Sequence, residues 1–179
     1  MSKNVLIIGT SPRKKGNSNR LAEEFKKGAE SAGNKAEMVY LCDKNIGFCR
    51  GCLACQKTKK CVIKDDANEI IEKMKTAEVI VWATPVYYYE MSGQMKTMID
   101  RSNPLFSDEY SFRDIYLLAT AADSGEYSMD GAVKGLQGWI DCYEGTNLKG
   151  IVKGLGVTDA GEIENSPALK EAYEMGLLV

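Results

Sequence analysis

Apolar positions along the chain fall into two patterns: short unbroken runs, and residues recurring at helical spacing. Val5-Leu6-Ile7-Ile8 ends in Gly9 and reads as a first strand. Leu21, Phe25 and Ala29 then repeat one turn apart, with Asn17 or Ser18 as a start signal and Gly33 as a stop, which predicts a helix. Further strands are expected over Ala36 to Leu41, Glu78 to Ala83, Ile115 to Thr120 and Ile151 to Val157. Between them, Asp65 or Asp66 caps a helix carrying Ile70, Ile71 and Met74. Others carry Met91, Met95, Met98 and Ile99, then Val133, Leu136 and Ile140 within Met129 to Tyr143, and a last one spans Pro167 to Met175. Thr84 to Tyr89 is expected to be a loop, because Pro85 has no N–H for a central ladder.

Strands that are unbroken apolar runs, each followed by a helix, describe a parallel sheet covered on both faces. The expected class is α/β, a doubly wound five-stranded parallel sheet of order 2-1-3-4-5 with helices on both faces. In such a sheet ligands bind outside the carboxyl ends of the strands near the switch point, here the loops after strands one, three and four. One domain over residues 1–179 is expected, with a cysteine-rich insertion at about 42–64.

Composition narrows the chemistry. At 44% apolar and 27% charged residues, with net charge −2, the chain has an ordinary globular balance and no basic footprint for nucleic acid or an anionic membrane. No apolar run approaches the roughly 20 residues of a membrane span, and the first residues lack a signal-peptide core, so a cytoplasmic protein is expected. Six cysteines in a chain of this size without an export signal are expected as reduced thiols or metal ligands. The absence of histidine removes triad and common zinc-hydrolase mechanisms and moves the chemistry onto a bound cofactor.

The segment from Thr10 to Arg20 joins the first strand to the first helix with hydroxyl, amide and basic side chains. A helix N-terminus flanked by such groups is an anion site; the same residues would also build a turn and cap. A Walker A loop needs four residues between its first glycine and a Gly-Lys pair, but the span from Gly9 to Gly16 is longer and Asn17 stands where lysine belongs. The dinucleotide fingerprint lacks its second and third glycines. A terminal monophosphate fits, with Arg13 neutralising and Ser11, Asn17, Ser18 and Asn19 donating hydrogen bonds. Thr84 to Gly93 offers backbone polar groups beside the aromatic Tyr87, Tyr88 and Tyr89, which suits a flat flavin-type ring; the tyrosines would serve equally in packing or at an interface between copies.

Cys49, Cys52, Cys55 and Cys61 form C-x2-C-x2-C-x5-C, a compact spacing that suits an iron-sulfur cluster better than zinc, although free cysteines also pack as small apolar residues. Lys57, Lys59 and Lys60 would offset the charge of a thiolate-ligated centre. Cys42 and Cys142 stand apart and are expected in the core.

Gly-Thr-Ser-Pro-Arg (9 to 13), Gly-Asn-Ser (16 to 18), Thr-Pro-Val-Tyr (84 to 87), Ser-Gly-Gln-Met-Lys (92 to 96) and Ile-Asp-Arg (99 to 101) together resemble the NADPH-dependent FMN reductase family of flavodoxin-like proteins. The resemblance implies non-covalent FMN, its phosphate on Ser11, Arg13, Asn17, Ser18 and Asn19 and its ring on Thr84, Pro85, Val86, Tyr87 and Tyr88. The third loop, with Ala122 and Asp123, would close over the ring. The cysteine spacing resembles that of the iron-sulfur flavoprotein branch, which implies a [4Fe-4S] cluster on Cys49, Cys52, Cys55 and Cys61. NAD(P)H would be the electron donor, and a flavin, quinone, nitroaromatic, metal or redox protein the acceptor. An electron carrier passing single electrons between protein partners is the other function implied. A homodimer or homotetramer is expected, the methionine- and tyrosine-rich surface from Tyr87 to Met98 serving as contact.

Overall fold

The computed structural model describes residues 2–179. Strands β1 (Asn4–Gly9), β2 (Lys35–Tyr40), β3 (Val79–Tyr87), β5 (Asp114–Thr120) and β6 (Asn147–Gly154) form a parallel sheet of order β2-β1-β3-β5-β6, and the two-residue β4 (Glu90–Met91) folds back antiparallel on the end of β3. Leaving β4 aside, this is the expected doubly wound order, with the crossover between β1 and β3 as switch point. The central strand β3 is buried from Val79 to Pro85, which explains its unbroken apolar run.

Two apolar layers sandwich the sheet. On one face, helices α1 (Asn17–Ser31) and α6 (Ala168–Leu177) pack through Leu21, Phe25 and Ala172 onto Val5, Ile7, Val81 and Leu118. On the other, α3 (Ala67–Thr76), α4 (Gly93–Arg101) and α5 (Asp130–Ile140) bring Ile70, Met74, Met95, Met98 and Leu136 onto Leu6, Ile8, Trp82 and Leu117. The short helix α2 (Ala54–Thr58) lies within the cysteine-rich stretch. Among the described residues, no helix is long and apolar enough to cross a membrane.

Several boundaries differ from expectation. Pro85 lies inside β3, in register with Thr120. The strand alternates its backbone groups between neighbours: the Ala83 carbonyl faces β1 and accepts from Thr10 N–H, so the N–H that Pro85 lacks would point to the same side, where β1 has already ended. The last strand runs Asn147–Gly154 and not Ile151 to Val157, because its partly exposed edge position permits the polar residues Asn147 and Lys149. Met91 belongs to β4 and not to the following helix. Cys42 is half-buried and Cys142 exposed, so neither is a core residue; Cys142 lies just past α5, where the chain turns back toward β6.

Candidate functional site

The loop after β1 is folded into the protein interior. Ser11, Asn17, Ser18 and Asn19 are buried, whereas Arg13 is exposed. The Asn19 amide donates to the Arg13 and Lys14 carbonyls at 3.2 and 3.1 Å, and the Ser11 hydroxyl accepts from Arg13 N–H at 3.1 Å, so side chains hold the loop in shape. Asn17 faces the loop after β6: its amide donates to the Asp159 carbonyl at 2.9 Å and its oxygen accepts from Gly161 N–H at 3.1 Å. Arg13 donates to the Thr158 carbonyl at 2.9 Å, placing its guanidinium against that same segment.

Helix α1 begins without a side-chain cap and without an acidic residue in its first turn. The Ser18 Oγ and Asn19 Oδ1 atoms are buried there with no hydrogen-bond partner. Buried, uncapped N–H groups beside unpartnered polar atoms cost free energy unless a ligand supplies the missing bonds. An anion at the positive end of α1 would accept from those N–H groups and from the Ser18 hydroxyl, which therefore fit the phosphate of FMN. Contrary to expectation, the Asn19 side chain does not donate to it, because its free oxygen is an acceptor and its N–H groups already serve the Arg13 and Lys14 carbonyls.

The second loop is pinned to the first from inside. Thr10 Oγ1 donates to the Ala83 carbonyl at 2.9 Å and lies 3.0 Å from Ser92 Oγ, while Ser92 N–H donates to Thr84 Oγ1 at 3.0 Å. Ser92 also caps α4 by accepting from Met95 N–H at 3.3 Å. Thr84 and Pro85 are thus buried supports, Val86 is half-buried, and Tyr87 and Tyr88 are exposed. Tyr88 and Tyr89 form the turn between β3 and β4 with φ of 51° and 63°, a left-handed conformation that β-turns of this kind normally give to Asn or Gly.

In the third loop Ala122 is exposed, and Asp123 gathers three donors: Gly125 N–H at 2.8 Å, the Tyr127 hydroxyl at 3.1 Å and the Tyr89 hydroxyl at 3.4 Å. These bonds, with that of Gly125 foremost, hold the Asp123 carboxyl below its usual range. The Tyr89 and Tyr127 rings stack at 6.1 Å, so one carboxylate and one aromatic pair join the second loop to the third. Nothing in the local pattern around Tyr127 signals this contact; a conformational signal was present only in the two consecutive non-glycine residues at the turn.

Cys49, Cys52, Cys55 and Cys61 all line one cavity of about 610 Å³, together with Arg101, Asn103 and Trp139. Cys55 is buried, Cys61 half-buried, and Cys49 and Cys52 exposed. Among the described residues, no three His, Cys, Asp or Glu side chains stand close enough together to hold a metal ion, so the thiols share a wall without meeting at a point. The loop does present sulfur to polar donors: Asn103 Nδ2 lies 3.1 Å from Cys55 Sγ and Gly51 N–H 3.5 Å from Cys49 Sγ. Soft thiols with N–H groups directed at them suit an iron-sulfur centre. Gly51, Leu53 and Lys59 all have positive φ, which gives this stretch its tight winding.

Asp65 and Asp66 do more than start a helix. Asp66 accepts from Asn45 N–H at 2.6 Å, and Asp65 accepts from Ala67 N–H at 3.2 Å while pairing with the buried Arg101 at 2.6 and 2.8 Å. Burial pushes the Asp65 carboxyl up, but the Arg101 donors and the Gly47 N–H outweigh it and hold the group below its ordinary value. Arg101 in turn is raised above its ordinary value, by Asp65 against the effect of burial and with Cys61 adding to it.

Sheet order, covered faces and ligand loops gathered at the carboxyl rim define a flavodoxin-like α/β protein. The NADPH-dependent FMN reductase family model matches residues 3–152, and the chain belongs to that family. Among its relatives is an iron-sulfur flavoprotein of Methanocaldococcus jannaschii, 41% identical over 101 residues that make up 56% of this chain and 52% of that protein. An iron-sulfur flavoprotein of Archaeoglobus fulgidus is 38% identical over 57% of this chain and 46% of its own length. The matched segment therefore spans about half the length of these two relatives. A putative NAD(P)H-dependent FMN-containing oxidoreductase of Bacillus subtilis is 28% identical over 96% of this chain and 95% of that protein. In fold, the chain is similar to the NAD(P)H:quinone oxidoreductase of Methanothermobacter marburgensis, with TM-score 0.75 and 18% identity over 99% of this chain and 96% of the other.

Proposed function

We propose that the protein is an FMN-dependent oxidoreductase that takes electrons from NAD(P)H and passes them to a small-molecule acceptor, such as a flavin, quinone or nitroaromatic, or to a redox protein. The observation that carries this reading is the uncapped start of α1 with the buried, unpartnered Ser18 hydroxyl beside it, donors that a phosphate would satisfy. Ser11, Arg13 and Ser18 would bind that phosphate, with Asn19 shaping the loop and Asn17 holding the wall behind it. Thr84, Pro85 and Val86 would support the ring edge, Tyr87 and Tyr88 its face, and Ala122 and Asp123 would close the third side. FMN, when bound, supplies hydride acceptance and electron release. The chain's own residues orient it and exclude water, and no side chain is required as acid or base.

The whole chain is read as one flavin-binding domain with a cysteine-rich insertion at about 42–64. The six free cysteines agree with a reducing cytoplasm. Exposed Tyr87, Tyr88 and Tyr89 support a homodimer or homotetramer, whereas Met91, Met95 and Met98 are buried and belong to the core.

A second reading is favoured by the thiol-lined cavity: Cys49, Cys52, Cys55 and Cys61 would hold a [4Fe-4S] cluster, and the protein would carry single electrons between protein partners. An absorption spectrum with iron and sulfide analysis of anaerobically purified protein, followed by stopped-flow reduction with NADPH and with ferredoxin, separates the two. Rapid reduction by NADPH supports the reductase; slow reduction by NADPH with rapid reduction by ferredoxin supports the carrier. Arg13→Ala is expected to weaken FMN binding by about 1.5–3 kcal/mol, the scale of a charge-assisted bond. Unchanged affinity in a fluorescence titration would remove Arg13 from the seat.

A further inference from the structure

Arg101 is the last residue of α4 and its side chain is wholly buried, an unusual place for a guanidinium. Burial of that charge requires partners, and the partners are informative. Nη1 donates to the Gly47 carbonyl at 2.7 Å and to Asp65 Oδ2 at 2.6 Å; Nη2 donates to Asp65 Oδ1 at 2.8 Å and to the Ile63 carbonyl at 3.3 Å. Asp65 Oδ2 also accepts from Gly47 N–H at 2.8 Å. One ion pair thus ties residue 47 to residues 63 and 65, and Cys49, Cys52, Cys55 and Cys61 all lie on the chain between those ties.

Besides these ties the stretch is anchored by Asn68 Nδ2 donating to the Ile63 carbonyl at 2.9 Å, by Ser107 Oγ donating to the Gln56 carbonyl at 3.2 Å and by Asn103 against the buried Cys55. Phe48, Leu53 and Val62 are exposed, and most of its other residues face solvent. Arg101 Nε is buried without a partner, and Arg101 lines the same cavity as the four thiols. A free donor on a fixed cation beside soft ligands is suited to an anionic sulfur.

We infer that Arg101 is a positioning residue for the cysteine cavity: with Asp65 it closes the loop before a metal centre arrives, and its free Nε–H and positive charge serve the sulfur of that centre. The inference rests on the cluster reading given above. Closing the loop in advance lowers the ordering entropy that ligation would otherwise require. A nearby cation and a hydrogen bond to sulfur favour the reduced, more negative state and so raise the potential.

The test uses full-length protein purified anaerobically and reconstituted with ferrous iron and sulfide, as wild type, Arg101→Lys, Arg101→Gln and Asp65→Asn. Four quantities are read: iron retained against a chelator, bound FMN, amide hydrogen exchange over residues 47–65, and the cluster midpoint potential. Expected are about tenfold or greater loss of iron retention in Arg101→Gln, exchange over 47–65 faster by about tenfold, unchanged FMN, and a potential shifted negative, less so in Arg101→Lys, which keeps the charge. Wild-type exchange and iron retention in both Arg101 variants would overturn the inference. Should Arg101→Gln fail to fold, Arg101→Lys and Asp65→Asn, which retain the cation, decide it by the same measurements. If wild type takes up no iron, the cluster reading and the sulfur role fail with it, while the exchange rates separately decide whether Arg101 closes the loop.

Discussion

Ser18 places a hydroxyl inside the protein with nothing to bond, and that asymmetry is measurable. Removing an unsatisfied buried group relieves its desolvation cost, whereas removing a ligand's partner loses a bond. Ser18→Ala is therefore expected to leave ligand-free stability unchanged or slightly higher in a urea titration, and to weaken FMN binding by about 0.5–1.5 kcal/mol in a fluorescence titration. Asp65 behaves in the opposite way. Its loss strands a buried guanidinium, and Asp65→Ala is expected to destabilise the fold by about 3–5 kcal/mol. Because its carboxyl titrates below the ordinary 3.8, its contribution is full at neutral pH and is lost as pH falls through that value toward the folded one. Urea midpoints followed from about pH 7 to about pH 3 should fall less steeply in Asp65→Asn than in wild type.

At the scale of elements, the turn between β3 and β4 departs most from local preference. Two tyrosines hold left-handed backbone where Asn and Gly are the usual residues, each at a strain of about 1–3 kcal/mol. Tyr88 is fully exposed, so no packing inside the chain compensates for it. Tyr88→Asn is expected to raise the melting temperature by about 2–4 °C, the equivalent of about 1 kcal/mol in a chain of this size, while weakening FMN retention or assembly in gel filtration. A lower melting temperature would show that the native turn is unstrained. The strands and helices themselves were legible because Val79 to Ala83 and Leu21-Phe25-Ala29 report their own periodicity. Pro85 misled because its effect depends on where the neighbouring β1 stops, which is information carried by another segment. The proposed phosphate seat rests on one contiguous stretch, Gly9 to Asn19, and its chemistry follows from adjacency to a helix start. The Arg101–Asp65 pair, 36 residues apart, and the Tyr89–Asp123 contact, 34 apart, are products of folding, and no local spacing announces them.

Across the whole molecule, the seat depends on a helix that lies far along the chain. Gly28 of α1 and Gly176 of α6 sit where the two helices touch: a methyl group at Gly28 would meet the Tyr173 carbonyl, and one at Gly176 the Phe25 carbonyl. Alanine in a helix interior ordinarily stabilises relative to glycine by about 0.5–1 kcal/mol. Here the sign reverses, and Gly28→Ala is expected to destabilise by about 1–3 kcal/mol through forced separation of the helices, measured by urea denaturation. Helix α6 lies beyond the residues 3–152 shared with the family, yet it braces the helix whose first turn forms the proposed anion seat.

That first turn is held by hydrogen bonds of Asn17, Asn19 and Ser11 made within the chain itself. Ligand uptake should then be a simple encounter, with an observed rate linear in FMN concentration and no slow conformational phase. Differences among ligands would reside in how fast they leave.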